Sequence, residues 1–530
     1  MEALRQSRLI VLGHAALTLL LVAIFLIAHA HYLGVPAAYT EAGGWSTWAD
    51  QSKYLEAARA WAAWDLTPAR HWYPPGYPLL GALLLPITPS DRFLLPDLAC
   101  LIASQFACAA LARRMFPQGR FAGLVGSAAF LVASVGTLAG LKSWLIPWTT
   151  TPAAALTFTA LVAVLRLAEH PGIGRALLAG GAIGGIVFFR PADAGPVALA
   201  AAVALAPRLC AMPMRRAAGI AAASVFATMA MAAADAGIIA ATSGFGPDTY
   251  YALSAHFGFE LRLLPLRWVS LVVDGRPIFD GVGTERIEPG LHRGLAEGFP
   301  WIIAGAGGIA ACWFHRDKRI HILLTTWLAL HLALVLCYRD LHIEGLWLYG
   351  NYHYFKVTQP VFLLYAVMLA ARLSDRATRW RAAVAAAVAI VLLFGWRASL
   401  IPVAEQAVPS VPAGIAVPSL GSLDDAAIVP GTGTWEAIYY GKHVLTIGGR
   451  RFLSRYDFRL YPRRNDLLLV PLRPLPPSPG ELAVADGVRV ETNVPVAKLH
   501  QAIAFGVPCM FGLAGSAVCG SLGAPLIPSR

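Results

Sequence analysis

The chain is short of charge. Asp, Glu, Lys and Arg make up 14% of its 530 residues, against 57% hydrophobic residues and a mean hydropathy of +0.60. That balance argues against the two or three soluble domains a chain of this length would otherwise form. Cysteine is also scarce. Of seven, Cys100, Cys108, Cys210, Cys312 and Cys337 lie in or beside apolar runs and read as small buried hydrophobes. Nucleotide and zinc signatures are missing: there is no GxxxxGK[ST] loop, no GxGxxG opening a strand-to-helix turn and no HExxH. A cytosolic nucleotide is therefore not expected as donor or energy source. No internal repeat is visible.

Long apolar runs are what the chain does have. Stretches of roughly twenty residues, the length that spans a bilayer, recur through the first 400 positions. Crossings are expected near 9–30, 93–113, 119–138, 145–167, 174–190, 192–208, 215–241, 298–314, 320–338, 355–372 and 382–400, about eleven in all. Leu9–Ala30 is expected to be retained as a crossing, because it is too long and too continuous with the rest to read as a signal peptide and shows no convincing small-x-small cleavage site. Gly76–Thr88 is apolar but short, bounded by Pro75, Pro86 and Pro89, and is assigned as a surface or partly inserted segment.

The net charge of +12 invites a nucleic-acid reading, which its distribution rejects. Arg113/Arg114/Arg120, Arg166/Arg175, Arg208/Arg215/Arg216, Arg316/Lys318/Arg319 and Arg372/Arg376/Arg379/Arg381 occupy alternate loops between crossings. That is the positive-inside pattern, so these loops are expected in the cytoplasm. The opposite side then receives 31–92, 242–297, 339–354 and the tail. Within the first of these, Thr47–Trp64 has helix-forming composition, with Thr47 or Ser46 as N-cap. Residues 1–400 form the membrane module. Residues 401–530 read as an extracytoplasmic soluble domain with short strands such as Asp466–Leu472 and Gly487–Glu491. Cys509 and Cys519 are its disulfide candidates in an oxidising compartment, on spacing alone.

The loop after the first crossing holds Trp48-Ala49-Asp50-Gln51-Ser52-Lys53-Tyr54 and closes with Tyr73-Pro74-Pro75-Gly76-Tyr77-Pro78. Sugar transfer to a hydroxyl or amine needs a base for the acceptor's proton, and a carboxylate such as Asp50 serves. Asp50 at the start of a surface helix would also simply favour the helix dipole. Tyr54, four residues on, shares its helix face, with Lys53 close by.

These residues resemble the first outer loop of GT-C superfamily glycosyltransferases, polytopic enzymes that take sugars from polyprenyl phosphates and include protein O-mannosyltransferase-like and aminoarabinose transferase-like members. The resemblance implies that Asp50 is the catalytic base. Two further stretches agree: Phe188-Phe189-Arg190-Pro191-Ala192-Asp193-Ala194-Gly195 resembles the family's Thr-Arg-Pro-Glu-Gly-like stretch, and His353-Tyr354 with Pro360 resembles its Arg-Tyr…Pro element. Two positions depart from the pattern: Gln51 stands where some members carry a second acid, and His353 where Arg is usual.

On this reading Arg190, Lys356, His353 and Tyr354 meet the donor phosphate; for Arg190 and Lys356 the alternative is snorkelling to the interface. Arg190 would form a bidentate pair and Lys356 act as a point charge. Lys53, Tyr54, Arg70, His71, Tyr73, Tyr77, His256 and Glu260 are the candidate substrate contacts, although aromatic residues here also suit a membrane-interface belt. No metal site is assigned; a divalent metal is left open as cofactor. The expected architecture is an α-helical polytopic membrane protein, GT-C-like, with a C-terminal extracytoplasmic α/β or mainly β domain. Its expected partners are membrane lipid, a polyprenyl-phosphate sugar donor, and a glycan, lipid or protein acceptor, with no nucleic acid. Its expected place is a bacterial cytoplasmic membrane, with sugar and acceptor unspecified. The competing class is a lipid or glycan transporter or flippase, which would show paired charged or helix-breaking residues at mid-membrane depth and related halves.

Overall fold

An apolar run in lipid becomes a helix because a helix satisfies its own backbone donors and acceptors. The computed structural model describes residues 2–31, 49–84, 87, 93–246, 249–259, 261, 264–273, 294–312, 319–338, 341, 346, 350–376 and five strands between 437 and 471. In chain order its principal helices are α1 (Glu2–His31), α2 (Ala49–Ala62), α3 (Gly76–Leu83), α4 (Leu94–Met115), α5 (Ala122–Val135), α6 (Leu138–Leu145) and α7 (Thr150–Glu169). There follow α8 (Ile173–Val187), α9 (Pro191–Cys210), α10 (Met214–Ala241), α11 (Tyr250–Phe257), α12 (Trp301–Cys312), α13 (Arg319–Cys337) and α14 (Gln359–Arg376). The chain divides into two compact units, Met1–Leu264 with Leu295–Pro402, and Pro265–Gly294 with Val403–Arg530.

Among the described residues six helices are long and apolar enough to cross a membrane: α1, α4, α7, α9, α10 and α13. The expected count of about eleven is not reached on length. Helices α8, α12 and the apolar part of α14 lie on expected crossings but are shorter, and 382–400 lies outside the described residues. The run expected as a crossing at 119–138 is broken. Helix α5 ends at Val135, the chain bends by 87°, and α6 follows; counted together the pair would make a seventh span. Thr137 causes the restart: its extended backbone and a side chain accepting from the Gly140 N–H at 3.0 Å cap a new helix. The next span consequently begins at Thr150 rather than near 145.

Other expectations survive with trimmed edges. The surface helix expected at Thr47–Trp64 is α2, and the short proline-bounded segment yields the eight-residue α3, too short to span. In the tail, β1 (Ala437–Tyr439), β4 (Phe458–Arg463) and β5 (Asp466–Pro471) pair antiparallel in the order β1-β4-β5, while β2 (His443–Ile447) and β3 (Arg450–Ser454) make a hairpin. The strand expected at Gly487–Glu491 and the pair Cys509 and Cys519 lie outside the described residues.

Small residues bring the helices together. Gly180 and Gly184 on α8 face the backbone of Ser224 and Thr228 on α10, and the Thr228 hydroxyl donates to the Gly180 carbonyl at 3.0 Å. The bundle has a basic end. There Arg114, closing α4, grips Glu169, closing α7, through Nε and Nη2 at 2.7 and 3.1 Å. Arg175 at the start of α8 donates to the His170 carbonyl at 2.8 Å, and Arg216 at the start of α10 to that of Pro171 at 3.2 Å. The N-termini of α4, α7, α9 and α14 and the C-terminus of α8 therefore gather at the opposite end, with α2, α3 and α6.

Candidate active site

Asp50 sits in the first turn of α2, at that opposite end. Its Oδ1 accepts from the Tyr73 hydroxyl at 2.5 Å. The Tyr73 ring lies 4.7 Å from that of Tyr54, one turn along α2, and Tyr54 hydrogen-bonds with Thr149. The loop that delivers Tyr73 is pinned: the Gly76 N–H donates to the Phe188 carbonyl at 2.9 Å, at the end of α8 and two residues before Arg190. A Cβ at Gly76 would stand 2.6 Å from that oxygen, so this approach requires glycine. One contact thus fixes the Asp50 loop to the Arg190 turn.

Arg190 caps α9, whose Pro191 fits the first helical position. Its Nε donates to Asp193 Oδ2 at 2.8 Å, and its guanidinium carbon stands 4.7 Å from the Tyr354 ring centroid. Tyr250, which sequence reasoning missed, closes the group with its ring 5.0 Å from Tyr73. Burial pushes the Asp50 carboxyl above its ordinary value, and the Tyr73 hydrogen bond and the Arg190 charge pull part of that back. Asp50 and Arg190 therefore share one electrostatic site. Burial would lower the Arg190 pKa, but Asp193, Tyr354 and Tyr250 raise it further than burial lowers it. Burial and then the Asp50 charge hold Tyr73 and Tyr54 well above the phenol range, so both phenols keep their protons. Tyr354 is pushed up to about 12, chiefly by burial.

A second polar cluster lies beside the first. Lys356, in the turn before α14, is buried and donates to the Ser143 carbonyl at 2.8 Å and to Thr151 Oγ1 at 2.6 Å. Its ammonium stands 4.7 Å from the Trp144 ring centroid. Burial brings its pKa down to about 7 against the pull of Asp97 and Cys100, and Arg190 adds to the lowering. Asp97, also missed from sequence, accepts from the Tyr77 hydroxyl at 2.9 and 2.8 Å through its two oxygens. His353 stacks on Trp148 at 3.9 Å and 6°, and its Nδ1 pairs with Thr150 Oγ1 at 3.0 Å. Burial first, then Lys356 and Arg190, hold its pKa well below the usual imidazole value. The ring is neutral, and its buried Nε2 has no partner among the described residues.

The other sequence candidates spread further. Lys53 is exposed and pairs with Glu56 at 3.3 Å; Arg70 is exposed and pairs with Asp65 at 3.0 Å. His71 is buried, with Nε2 2.7 Å from the Asp65 carbonyl and its ring 4.9 Å from that of Trp61. These three belong to the folded loop rather than to the Asp50–Arg190 group. His256 lies in α11 with its side chain outside the described residues, as is Glu260 altogether. Among the described residues no three His, Cys, Asp or Glu side chains converge to hold a metal ion.

No protein-family profile matches the chain, and no curated protein does. Among solved structures it is similar to the crystal structure of ArnT from Cupriavidus metallidurans bound to undecaprenyl phosphate, with a TM-score of 0.45 and 12% sequence identity. That similarity covers 71% of this chain and 63% of the other, less than two thirds of its length.

Proposed function

We propose that this chain is a membrane glycosyltransferase that moves a sugar from a polyprenyl-phosphate donor to an acceptor at the outer face of a bacterial cytoplasmic membrane. The observation that carries the reading is the joining, through Gly76 and Phe188, of a tyrosine-held carboxylate in the first loop to a partly buried arginine between α8 and α9. The GT-C resemblance of the three sequence stretches points the same way. The site lies at the end remote from the basic loops, which supports an extracytoplasmic active site under the positive-inside rule.

In this mechanism Asp50 takes the proton from the acceptor's hydroxyl or amine, and Tyr73 fixes the orientation of the carboxylate. The acceptor's freed electron pair forms the new bond to the anomeric carbon. The bond from that carbon to the phosphate oxygen breaks, and polyprenyl phosphate leaves with its electrons. A phosphate leaving group needs no proton, so one carboxylate suffices, and direct displacement inverts the anomeric carbon. Arg190, and Lys356 in its protonated form, offset the charge that gathers on the leaving oxygen. His353 and Tyr354 contribute hydrogen bonds rather than charge. Residues 1–400 act as the catalytic membrane module, and 401–530 as an outer domain that helps hold the acceptor.

The test is mass spectrometry of cell-envelope glycans and glycoproteins from cells carrying wild-type protein, no protein, or Asp50→Asn at normal membrane level. Loss of one glycan product in both the null and the variant is expected. An unchanged product in Asp50→Asn would remove the enzyme reading.

A further inference from the structure

One buried carboxylate on a helix long and apolar enough to cross a membrane has no use in the scheme above. Asp235 is on α10, six residues before that helix ends, and only 3% of it is exposed. Its Oδ1 is buried with no hydrogen-bond partner among the described residues, and no described cation forms an ion pair with it. The hydroxyl of Tyr251, on α11, is likewise buried and unpartnered. After burial, the Asp235 charge is the strongest influence raising the Tyr251 phenol, so the two groups lie within electrostatic range of each other. Two buried polar atoms without a hydrogen-bond partner, on two helices, thus share one electrostatic neighbourhood, where each is costly unless something satisfies it.

Helix α10 also has an exposed apolar flank, as a lipid-facing helix would: Val225, Phe226 and Met229 are 61%, 69% and 61% exposed. Its 28 residues extend about 42 Å at about 1.5 Å each, beyond the roughly 30 Å hydrocarbon core, so its last turns enter the head-group layer. Asp235, roughly 9 Å from the helix end, falls near that boundary. We propose that Asp235 and Tyr251 form a binding site for the protonated amine of a membrane phospholipid head group. An ammonium answers both atoms: it donates to the carboxylate as a charge-assisted bond and to the phenol oxygen as a second. A neutral hydroxyl would leave the carboxylate's charge unbalanced. A hard metal ion would need more oxygen ligands than these two side chains supply. The site adjoins the Asp50 group, since the Tyr251 ring lies 5.5 Å from Tyr250 and Tyr250 lies 5.0 Å from Tyr73.

The experiment is native mass spectrometry of the full-length protein released from nanodiscs holding equal amounts of phosphatidylethanolamine and phosphatidylcholine. The two lipids share the phosphate, and only the first carries N–H donors. Wild type should retain phosphatidylethanolamine about tenfold over phosphatidylcholine, the factor one charge-assisted hydrogen bond supplies. Asp235→Asn should bring the ratio close to parity, and Tyr251→Phe should lower it without removing a charge. Equal retention by wild type overturns the proposal, as does a full preference kept in either variant. Should Asp235→Asn fail to fold, wild type and Tyr251→Phe decide the question. Lipid retention is read without donor or transfer, so this site and the transferase reading stand or fall separately.

Discussion

Replacing Gly76 by alanine tests the joint on which the whole site rests. The added Cβ would meet the Phe188 carbonyl oxygen at 2.6 Å and the Phe188 Cβ at 2.9 Å, both closer than such contacts allow. Neither is the far end of a flexible side chain, so the loop must lift off the end of α8. Overpacking of this kind costs about 1–3 kcal/mol. Loss of the Gly76–Phe188 hydrogen bond adds about 0.5–1.5 kcal/mol, for a total loss of roughly 1.5–4.5 kcal/mol of stability. The lift also carries Tyr73 and Asp50 away from Arg190, and a displacement near 1 Å slows positioned chemistry about 100-fold. The assays are thermal unfolding in detergent and the rate of sugar transfer. Gly174→Ala is the control, because nothing lies within 4 Å of its new Cβ. A Gly76→Ala protein that melts and transfers like wild type would refute this account of how the two loops are joined.

The remaining predictions concern protons. Tyr73→Phe removes the hydrogen bond that lowers the Asp50 pKa, leaving burial less opposed; if Asp50 is the base, as proposed, it must be ionised and the acidic limb of the pH–rate profile should move to higher pH. Lys356 holds its proton only to about 7 when folded against 10.5 when free, so between those values the unfolded chain binds more protons and stability rises with pH. Lys356→Met should flatten that rise in melting temperatures measured across the window, and an unchanged slope would assign the rise to other groups.

The membrane-spanning character was legible because lipid demands long apolar helices, and that demand is written directly into composition. The corner between α5 and α6 was not, because hydropathy continues through Gly136 and Thr137 while the cap that starts the new helix is a single local bond. In the site, Asp50, Tyr73 and Arg190 were visible as polar residues bordering apolar runs. Tyr250 was not, since nothing in sequence distinguishes it from its neighbour Tyr251 until α11 is packed against the loop holding Tyr73. Asp97 carried a signal that went unread: a carboxylate at the start of an apolar span is costly and so marks a purpose. Arg70 and Lys53 have exposed side chains paired with Asp65 and Glu56, a partnership that sequence alone does not reveal.

The eight-residue rod lying crosswise after the corner has a consequence for Lys356. Its last carbonyls have no further turn to receive them, and the one on Ser143 is satisfied by the Lys356 ammonium, a cation placed at the negative pole of a short helix. Lys356 is therefore a tether as well as a charge. An anion that drew the ammonium away would leave that Ser143 carbonyl without its cation, so on the proposed function phosphate binding at Lys356 would come at the expense of the last turn of α6.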